Sequence, residues 1–406
     1  MKYALGEEDL PRQDCGIKEH QPKERRVMAE RAYQICTQCI MDTSDPRISF
    51  DADGVCDHCR EFHQQVEPAW RQDEKDGVKL HAILDEIKRA GKGRPYDCLL
   101  GMSGGLDSSY MLHQAVKVFG LRPLVFHVDG GWNTPESSYN VKAMAEKLGV
   151  ELNVTTIDWE EMRNFQLALL KSGIPYLDMA QDHCFVATLY NYALKHGIKH
   201  ILNGGNYSTE GVRYPLEYYY YGTDMRFIRD ILGRFGEIPM KTYPFSSVFR
   251  HKIWLRYVKG MKVIRLLNYM PYRRAQALQT LSAEYGWKDY RRKHFESIFT
   301  RYLEGYVFPT RFGFTPYRNQ LSGLVITGQM TRDEALAEIA HPYYPDDLRK
   351  ADKDAICTKL RISEAEFDGY LNLPKKFYWD YKNQMGLINL GAKVMKFFGL
   401  ARAGAR

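Results

Sequence analysis

Ser103-Gly104-Gly105-Leu106-Asp107-Ser108-Ser109 stands between an apolar run, Cys98-Leu99-Leu100-Gly101-Met102, and Tyr110-Met111-Leu112-His113-Gln114-Ala115-Val116. The apolar run reads as a short buried strand and the segment after the loop as the first turns of a helix. A glycine pair at that junction lets the backbone turn tightly and approach a ligand. The helix beyond it presents free N–H groups and the positive end of its dipole to an anion. Ser103, Ser108 and Ser109 add hydroxyl donors, and Asp107 adds a carboxylate that can hold Mg²⁺. The stretch predicts a pyrophosphate cradle. It has neither the G-x-x-x-x-G-K-[ST] spacing of a P-loop nor the G-x-G-x-x-G of a dinucleotide fingerprint.

Downstream, Pro123–Asp129 reads as a second strand ending in Asp129-Gly130-Gly131-Trp132-Asn133. A helix through Ala143–Leu148 stops at Gly149, Leu152–Ile157 is a third strand, and residues 184–195 form a helix before Gly197. Lys199–Asn203 is a fourth strand, running into Gly204-Gly205-Asn206. Strands alternating with helices predict an α/β fold, a doubly wound parallel sheet. Ligands in such sheets bind at the carboxyl ends of strands, so loops 103–109, 129–134 and 203–211 should converge. The strand backbone at Val128 and Asp129 is placed to read adenine. Glu210 offers a second carboxylate near Asp107; a solvated loop residue is the plainer alternative.

Four cysteines form two pairs, Cys36-Thr37-Gln38-Cys39 and Cys56-Asp57-His58-Cys59, separated by residues 40–55. That is a recognised zinc spacing, and two C-x-x-C turns complete a tetrahedral S₄ site with no position left for water. The zinc would be structural, in a ribbon-like hairpin with a strand, turn and return over residues 48–55. An iron–sulfur cluster is compatible with the same spacing, and His58 is a competing ligand.

At 406 residues the chain exceeds the usual size of one core. The expected divisions are a polar extension over 1–32, a Cys₄ module over 33–65, a nucleotide domain over 90–245 and a mostly helical region over 246–406. No run of apolar residues is long enough for a membrane span, and the first residues lack a signal-peptide core, so a cytoplasmic protein is expected. Its eight cysteines should then be thiols or metal ligands. The net charge of +7 suits an enzyme handling ATP and another anion, and equally an RNA-binding enzyme.

In the second half, Tyr214 and Tyr218–Tyr221 suit either a sugar or base pocket or a core. Basic residues outnumber acidic ones from Arg250 to Arg318, with aromatics interleaved; this fits an RNA surface, a pocket for a diphosphate-linked sugar, or a solvated helix face. Thr331 and Glu334 form a capping box at a helix start. The tail Met385–Leu400 is basic and amphipathic, suited to terminal packing or to a membrane surface.

Ser-Gly-Gly-x-Asp-Ser-Ser resembles the PP-loop of the ATP pyrophosphatase superfamily. Further matches are Cys36-Thr37-Gln38-Cys39-Ile40-Met41-Asp42-Thr43-Ser44-Asp45-Pro46, Asn203-Gly204-Gly205-Asn206 with Thr209-Glu210, Lys293-His294-Phe295-Glu296-Ser297-Ile298-Phe299-Thr300-Arg301, and Gly328-Gln329-Met330-Thr331-Arg332. Together they make the chain similar, over roughly residues 33–345, to the N-acetyl sugar amidotransferases related to WbpG-type lipopolysaccharide biosynthesis proteins. One departure is the run Arg311-Phe312-Gly313-Phe314-Thr315-Pro316-Tyr317-Arg318, where that family tends to carry a basic Asp-Lys-Arg type sequence.

The resemblance implies conversion of an acetamido group on a nucleotide-linked sugar to an acetamidino group, with ATP and Mg²⁺, in O-antigen or related lipopolysaccharide biosynthesis. Ser103, Gly104, Gly105, Ser108 and Ser109 would hold pyrophosphate and Asp107 the metal. Lys293 or Arg301 would neutralise developing charge, with Glu210 beside them. Asn206, His294 and Glu296 would contact the sugar. Residue 2 is Lys2, and no glutaminase pattern is evident, so ammonia is expected from a separate pair similar to the HisH glutaminase and the HisF synthase. No nucleic-acid partner is expected. The rival reading is a PP-loop tRNA-thiolation enzyme, for which only Cys184 is suitably placed among the cysteines after the PP-loop.

Overall fold

A computed structural model describes residues 31–68, 70 and 77–397 of the chain. The expected polar extension and Cys15 lie almost wholly outside the described residues, as does the end of the tail. Two helices, α1 (Asp57–Glu61) and α2 (Val78–Gly91), precede the sheet.

Five parallel strands form that sheet: β1 (Cys98–Gly101), β2 (Pro123–Asp129), β3 (Leu152–Thr156), β4 (His200–Leu202) and β5 (Lys262–Ile264), in the order β3-β2-β1-β4-β5. Helix α3 (Leu106–His113) links β1 to β2, α4 (Pro135–Leu148) links β2 to β3, and α5 (Trp159–Ser172) and α6 (Met179–Lys195) link β3 to β4. Strand order reverses between β1 and β4, where Leu99 faces Ile201 and Leu100 faces Leu202. A reversal leaves a crevice at the carboxyl ends of the two strands. The loops leaving them are 102–105 and 203–206.

Successive side chains of a strand point to opposite faces. Leu100 and Met102 accordingly pack with Met111, Val125, Met144 and Leu267 on one face. Leu99 packs with Leu124, Phe126, Leu189 and Ile201 on the other. β5 was not anticipated. Three residues after a basic stretch carry too little period to be read as a strand, and its pairing with β4 carries the sheet to Ile264, past the boundary expected at 245.

After β4 come α7 (Tyr207–Glu210), α8 (Met225–Phe235), α9 (Arg274–Tyr285), α10 (Ile298–Tyr302), α11 (Pro316–Ile326), α12 (Arg332–Ala340), α13 (Asp346–Leu360), α14 (Glu364–Leu371) and α15 (Met385–Phe397). The tyrosine run resolves as core: Tyr218, Tyr219 and Tyr220 are buried, with Tyr219 stacked on Phe308. The capping box at Thr331 and Glu334 is formed. Among the described residues no helix is long and apolar enough to cross a membrane.

The cysteine module has less sheet than its spacing suggested: the strand, turn and return reduce to one bridge, Phe50 to Cys56. It packs through Met41 and Ile48 on Val212, Val325 and Ile326. Arg318 of α11 donates to the Ile40 carbonyl at 2.6 Å and pairs with Asp42 at 3.1 Å.

Candidate active site

The crevice at the strand reversal opens into a cavity of about 960 Å³, counting its open mouth. Ser103, Gly105, Asp107 and Ser108 line it, as do Gly204, Gly205 and Glu210 from the second loop and Lys293 from the distant third segment. Gly104 turns the loop with φ +83, and a Cβ there would come within 2.6 Å of the Ser137 hydroxyl. The α3 amino terminus has no side-chain cap, so its N–H groups stay available to an anion.

Lys293 is the hub. Its Nζ lies 2.6 Å from Asp107, 2.8 Å from Glu210 and 2.8 Å from the Thr209 hydroxyl. Asp107 also accepts from the Tyr272 hydroxyl and from Thr209. Burial alone would raise both carboxyl pKa values, but the Lys293 charge and these bonds outweigh it and hold Asp107 and Glu210 below the usual carboxylate range. Burial likewise works against the Lys293 cation, and the two carboxylates overcome it, raising its pKa above the usual lysine value. The group therefore stays charged through the neutral range. Glu210 is thus an ion-pair partner rather than a solvated loop residue.

Two non-glycine residues with left-handed backbone, Arg291 (φ 64) and His294 (φ 69), bracket Arg292 and Lys293. Such conformations cost about 1 kcal/mol or more each and persist where surrounding structure imposes them. The loop is pinned by the next residues. The Glu296 carbonyl accepts from Thr134 at 3.0 Å, and the Ile298 N–H donates to Trp132 at 2.8 Å. The Glu296 carboxylate lies against Gly105, within 2.9 Å of where a Cβ would stand.

A second cavity is lined by Phe126, Val128, Asn133, Gln181, Asp182 and Phe185, and shares Ser103, His294 and Glu296 with the first. The two therefore adjoin at the PP-loop. Val128 lines this second space, while the Asp129 carboxylate is turned to the Gly131 N–H at 2.8 Å.

Other expected site residues are used differently. Ser109 is buried, and its hydroxyl accepts from the Trp287 indole at 3.1 Å. The Asn206 side chain caps α7 by accepting from Thr209 N–H at 3.0 Å, and it is fully buried. Arg301 is held by Asp352 of α13 through two bonds of 2.7 and 2.6 Å and does not line either cavity. Of the two cations expected there, Lys293 is the one that lies in the crevice. His294 lies 3.2 Å from Glu304 and 3.2 Å from the Gln320 amide. Residues the sequence left unmarked complete the site: Tyr272 and Gln320. Tyr272 has no motif around it; Gln329, inside Gly-Gln-Met-Thr-Arg, positions it by donating to its carbonyl at 3.0 Å and accepting from Arg274 N–H at 2.8 Å.

The thiols of Cys36, Cys39, Cys56 and Cys59 lie within 4.8 Å of one another and are buried. Sγ separations of 3.8 Å (Cys36 to Cys59) and 3.7 Å (Cys39 to Cys56) match the edge of a tetrahedron with Zn–S near 2.3 Å, about 3.8 Å. Backbone N–H groups of Gln38, Cys39 and Cys56 point at Cys36 Sγ, as second-shell donors to thiolates do. The four fit a structural zinc ion. His58 is no ligand; its ring pairs with Asp45 at 2.9 Å. No other group of three or more such ligands converges among the described residues.

The parallel sheet, its strand reversal and the Ser-Gly-Gly loop define a PP-loop enzyme of the ATP-utilising class. Residues 97–184 match the phosphoadenosine phosphosulfate reductase domain, and residues 296–395 match the C-terminal domain of LPS biosynthesis protein WbpG-like proteins. The chain is a WbpG-like member of the PP-loop superfamily. No curated protein matches it. Among solved structures, NMN synthetase from Francisella tularensis is similar at 13% identity and TM-score 0.22, over 55% of this chain and 95% of that one. NAD+ synthetase from Burkholderia pseudomallei is similar at 18% identity and TM-score 0.24, over 57% and 92%. Likenesses that low carry no weight for function.

Proposed function

We propose that this protein is an ATP-dependent amidotransferase that turns an acetamido group of a nucleotide-linked sugar into an acetamidino group, in lipopolysaccharide or other surface-polysaccharide biosynthesis. One observation carries the reading. The PP-loop and the WbpG-like region close on the same cavity, Ser103 to Ser108 on one side and Glu296, Gln320, Leu321 and Met330 on the other. A phosphate-activating loop thus faces an acceptor space built in part by the WbpG-like region, residues 296–395.

In this reading adenine lies by Val128 and the triphosphate at the PP-loop. An amide carbonyl is a poor electrophile. Its oxygen attacks the α-phosphorus and pyrophosphate leaves, giving an O-adenylyl imidate. Ammonia adds to the carbon, the C–O bond to AMP breaks, and loss of a proton leaves the amidine. The protein's contribution is orientation and charge complementarity: Lys293 and the α3 N–H groups face the departing pyrophosphate. Magnesium is commonly held by one or two carboxylates with substrate phosphates, and Asp107 with Glu210 supply that donor set, in competition with Lys293. When bound, the ion would neutralise phosphate charge.

Cys98, Cys184 and Cys357 are buried, so among the described residues none offers a glutaminase nucleophile. This supports ammonia delivery by a separate HisH-like glutaminase with a HisF-like partner. The same burial weighs against thiolation: Cys184 is fully enclosed and its thiol pKa is pushed well up by burial, which suppresses the reactive thiolate.

The test is pyrophosphate and AMP release from ATP with ammonium chloride and UDP-linked diacetamido sugars, followed by mass spectrometry. A product in which O has been exchanged for NH, with AMP formed in step, is expected. Sulfur incorporation into tRNA without sugar turnover would overturn the reading in favour of the thiolase.

A further inference from the structure

Helix α15 leaves an apolar face uncovered among the described residues. Leu387, Leu390 and Val394 stand three and four residues apart and so share one face, and they are 65%, 57% and 46% exposed. Met385, at the start of the helix, packs on the main core, whereas every residue from Asn389 to Val394 is exposed. The chain entering the helix is nevertheless tied down. Asp224, just ahead of α8, accepts from the Gln384 N–H at 2.6 Å and from the Tyr378 hydroxyl, and Asp230 accepts from the Lys382 N–H at 3.0 Å. The helix thus leaves a fixed base with its apolar stripe exposed. It has 13 residues. At about 1.5 Å for each it is about 20 Å long, too short to span a hydrocarbon core of about 30 Å.

Charge says what covers the stripe. Beyond Asp380 the sequence has no Asp or Glu, and it carries Lys382, Lys393, Lys396 and, past the described residues, Arg402 and Arg406. Trp379, just before the helix, is 48% exposed, and tryptophan favours the boundary between membrane and water. An apolar stripe accompanied by lysines and no acid suits a helix lying in the plane of a bilayer surface, with its leucines among acyl chains and its lysines against anionic head groups. A second copy docked on the same face would bring two lysine-bearing helices together with no acid on either to balance them. We propose that α15 is an interfacial anchor that docks the protein on an anionic lipid bilayer. Leu387, Leu390 and Val394 supply the apolar contact, and the basic residues select the charge of the surface. The anchor stands apart from the cavity and does not rest on the amidotransferase reading.

Vesicle flotation with the full chain tests it, without ATP or sugar, so the result is independent of that reading. Vesicles of phosphatidylcholine alone are set against vesicles of phosphatidylcholine with phosphatidylglycerol, at low and high salt. Wild type should partition onto the anionic vesicles about tenfold or more better than onto the neutral ones, and the gap should narrow as salt screens the attraction. The double variant Leu387→Gln/Leu390→Gln should lose binding to the anionic vesicles. Lys393→Gln/Lys396→Gln should reduce the preference for them severalfold. The melting temperature should stay near wild type in both variants, since Leu387, Leu390 and Lys393 are exposed. Wild type that stays off the anionic vesicles overturns the proposal. So does flotation that Leu387→Gln/Leu390→Gln leaves unchanged, since another surface would then hold the lipid. Sedimentation velocity without vesicles reads the other occupant: a wild-type dimer that does not float, and that Leu387→Gln/Leu390→Gln turns into monomer, assigns the stripe to a second copy and overturns the anchor.

Discussion

Lys293 separates two jobs that a single mutation can tell apart. It neutralises Asp107 and Glu210 in the resting site, and in the proposed reaction it faces pyrophosphate. Removing one partner of a buried charge group costs about 3–5 kcal/mol, so Lys293→Met should lose about 3 kcal/mol of stability at pH 7, read by urea denaturation. The sign of the pH dependence follows from the shifts. Asp107 and Glu210 have depressed pKa values in the folded protein, so their stabilisation is present above their unfolded values and lost as pH falls through the folded ones. Lys293 is raised, so its share is lost only as pH rises through its folded value, above the usual lysine range. Without Lys293 the carboxylates titrate higher, and the variant's deficit should shrink between pH 7 and pH 5. A deficit that stays constant would show that the carboxylates are not what Lys293 stabilises. Pyrophosphate release should fall by about 10² to 10³. Gly104→Ala is a sharper steric test. A Cβ there would meet the Ser137 hydroxyl at 2.6 Å and its carbonyl at 2.9 Å, and the backbone is left-handed. ATP binding should be lost, with the sheet intact by circular dichroism.

At the scale of elements, the strands around the PP-loop were legible because each carries an apolar run closed by a glycine or polar turn. β5 was not, since Lys262-Val263-Ile264 is too short to show a period and is recruited only by the edge of β4. The loop residues divide similarly. Ser103 and Asp107, at the strand–helix junction, do line the cavity. Ser109 and Asn206 do not line the cavity, because sequence gives residue type but not direction: one hydroxyl turns to an indole and one amide caps its own helix. Arg301 looked equivalent to Lys293 until α13, distant in sequence, supplied Asp352. Helix α6 contains a further element-level consequence. His183 is buried, lies 2.7 Å from the Gly222 carbonyl through Nδ1 and accepts from Ser246 N–H at 3.0 Å through Nε2. Burial lowers its pKa to about 4. A depressed histidine pKa means the unfolded chain binds the proton first, so stability is full above about 6.5 and declines as pH falls toward 4. The shift corresponds to about 3 kcal/mol. Wild type should lose thermal stability over that window, and His183→Phe should flatten the decline. An equally steep decline in the variant would assign the acid sensitivity elsewhere.

At the scale of the molecule, one five-residue motif ties the cysteine module to the Asp107 carboxylate of the cavity. Gln329 holds the segment that carries Tyr272, and Tyr272 holds Asp107. Arg332, three residues on, donates to the carbonyls of Cys36 and Cys39 at 3.0 to 3.2 Å. The module also fixes Arg318 of α11, whose neighbours Tyr317 and Gln320 line the cavity. A structural zinc ion stabilises what it closes, so its loss should be felt at the PP-loop and not only within residues 33–65. Cys59→Ser should bring zinc content by elemental analysis from one per chain toward none, lower the melting temperature, and reduce ATP-dependent pyrophosphate release. Gln329→Leu isolates the link. It leaves all four thiols in place, so zinc content should stay at one per chain, while pyrophosphate release falls because Tyr272 and Arg274 lose their anchor. If Gln329→Leu turns over normally while Cys59→Ser does not, the module acts through α11 and Arg318 instead. If the zinc-free protein melts and turns over like wild type, the module is independent of the site, and the packing of Met41 and Ile48 on Val212, Val325 and Ile326 contributes nothing to holding the cavity.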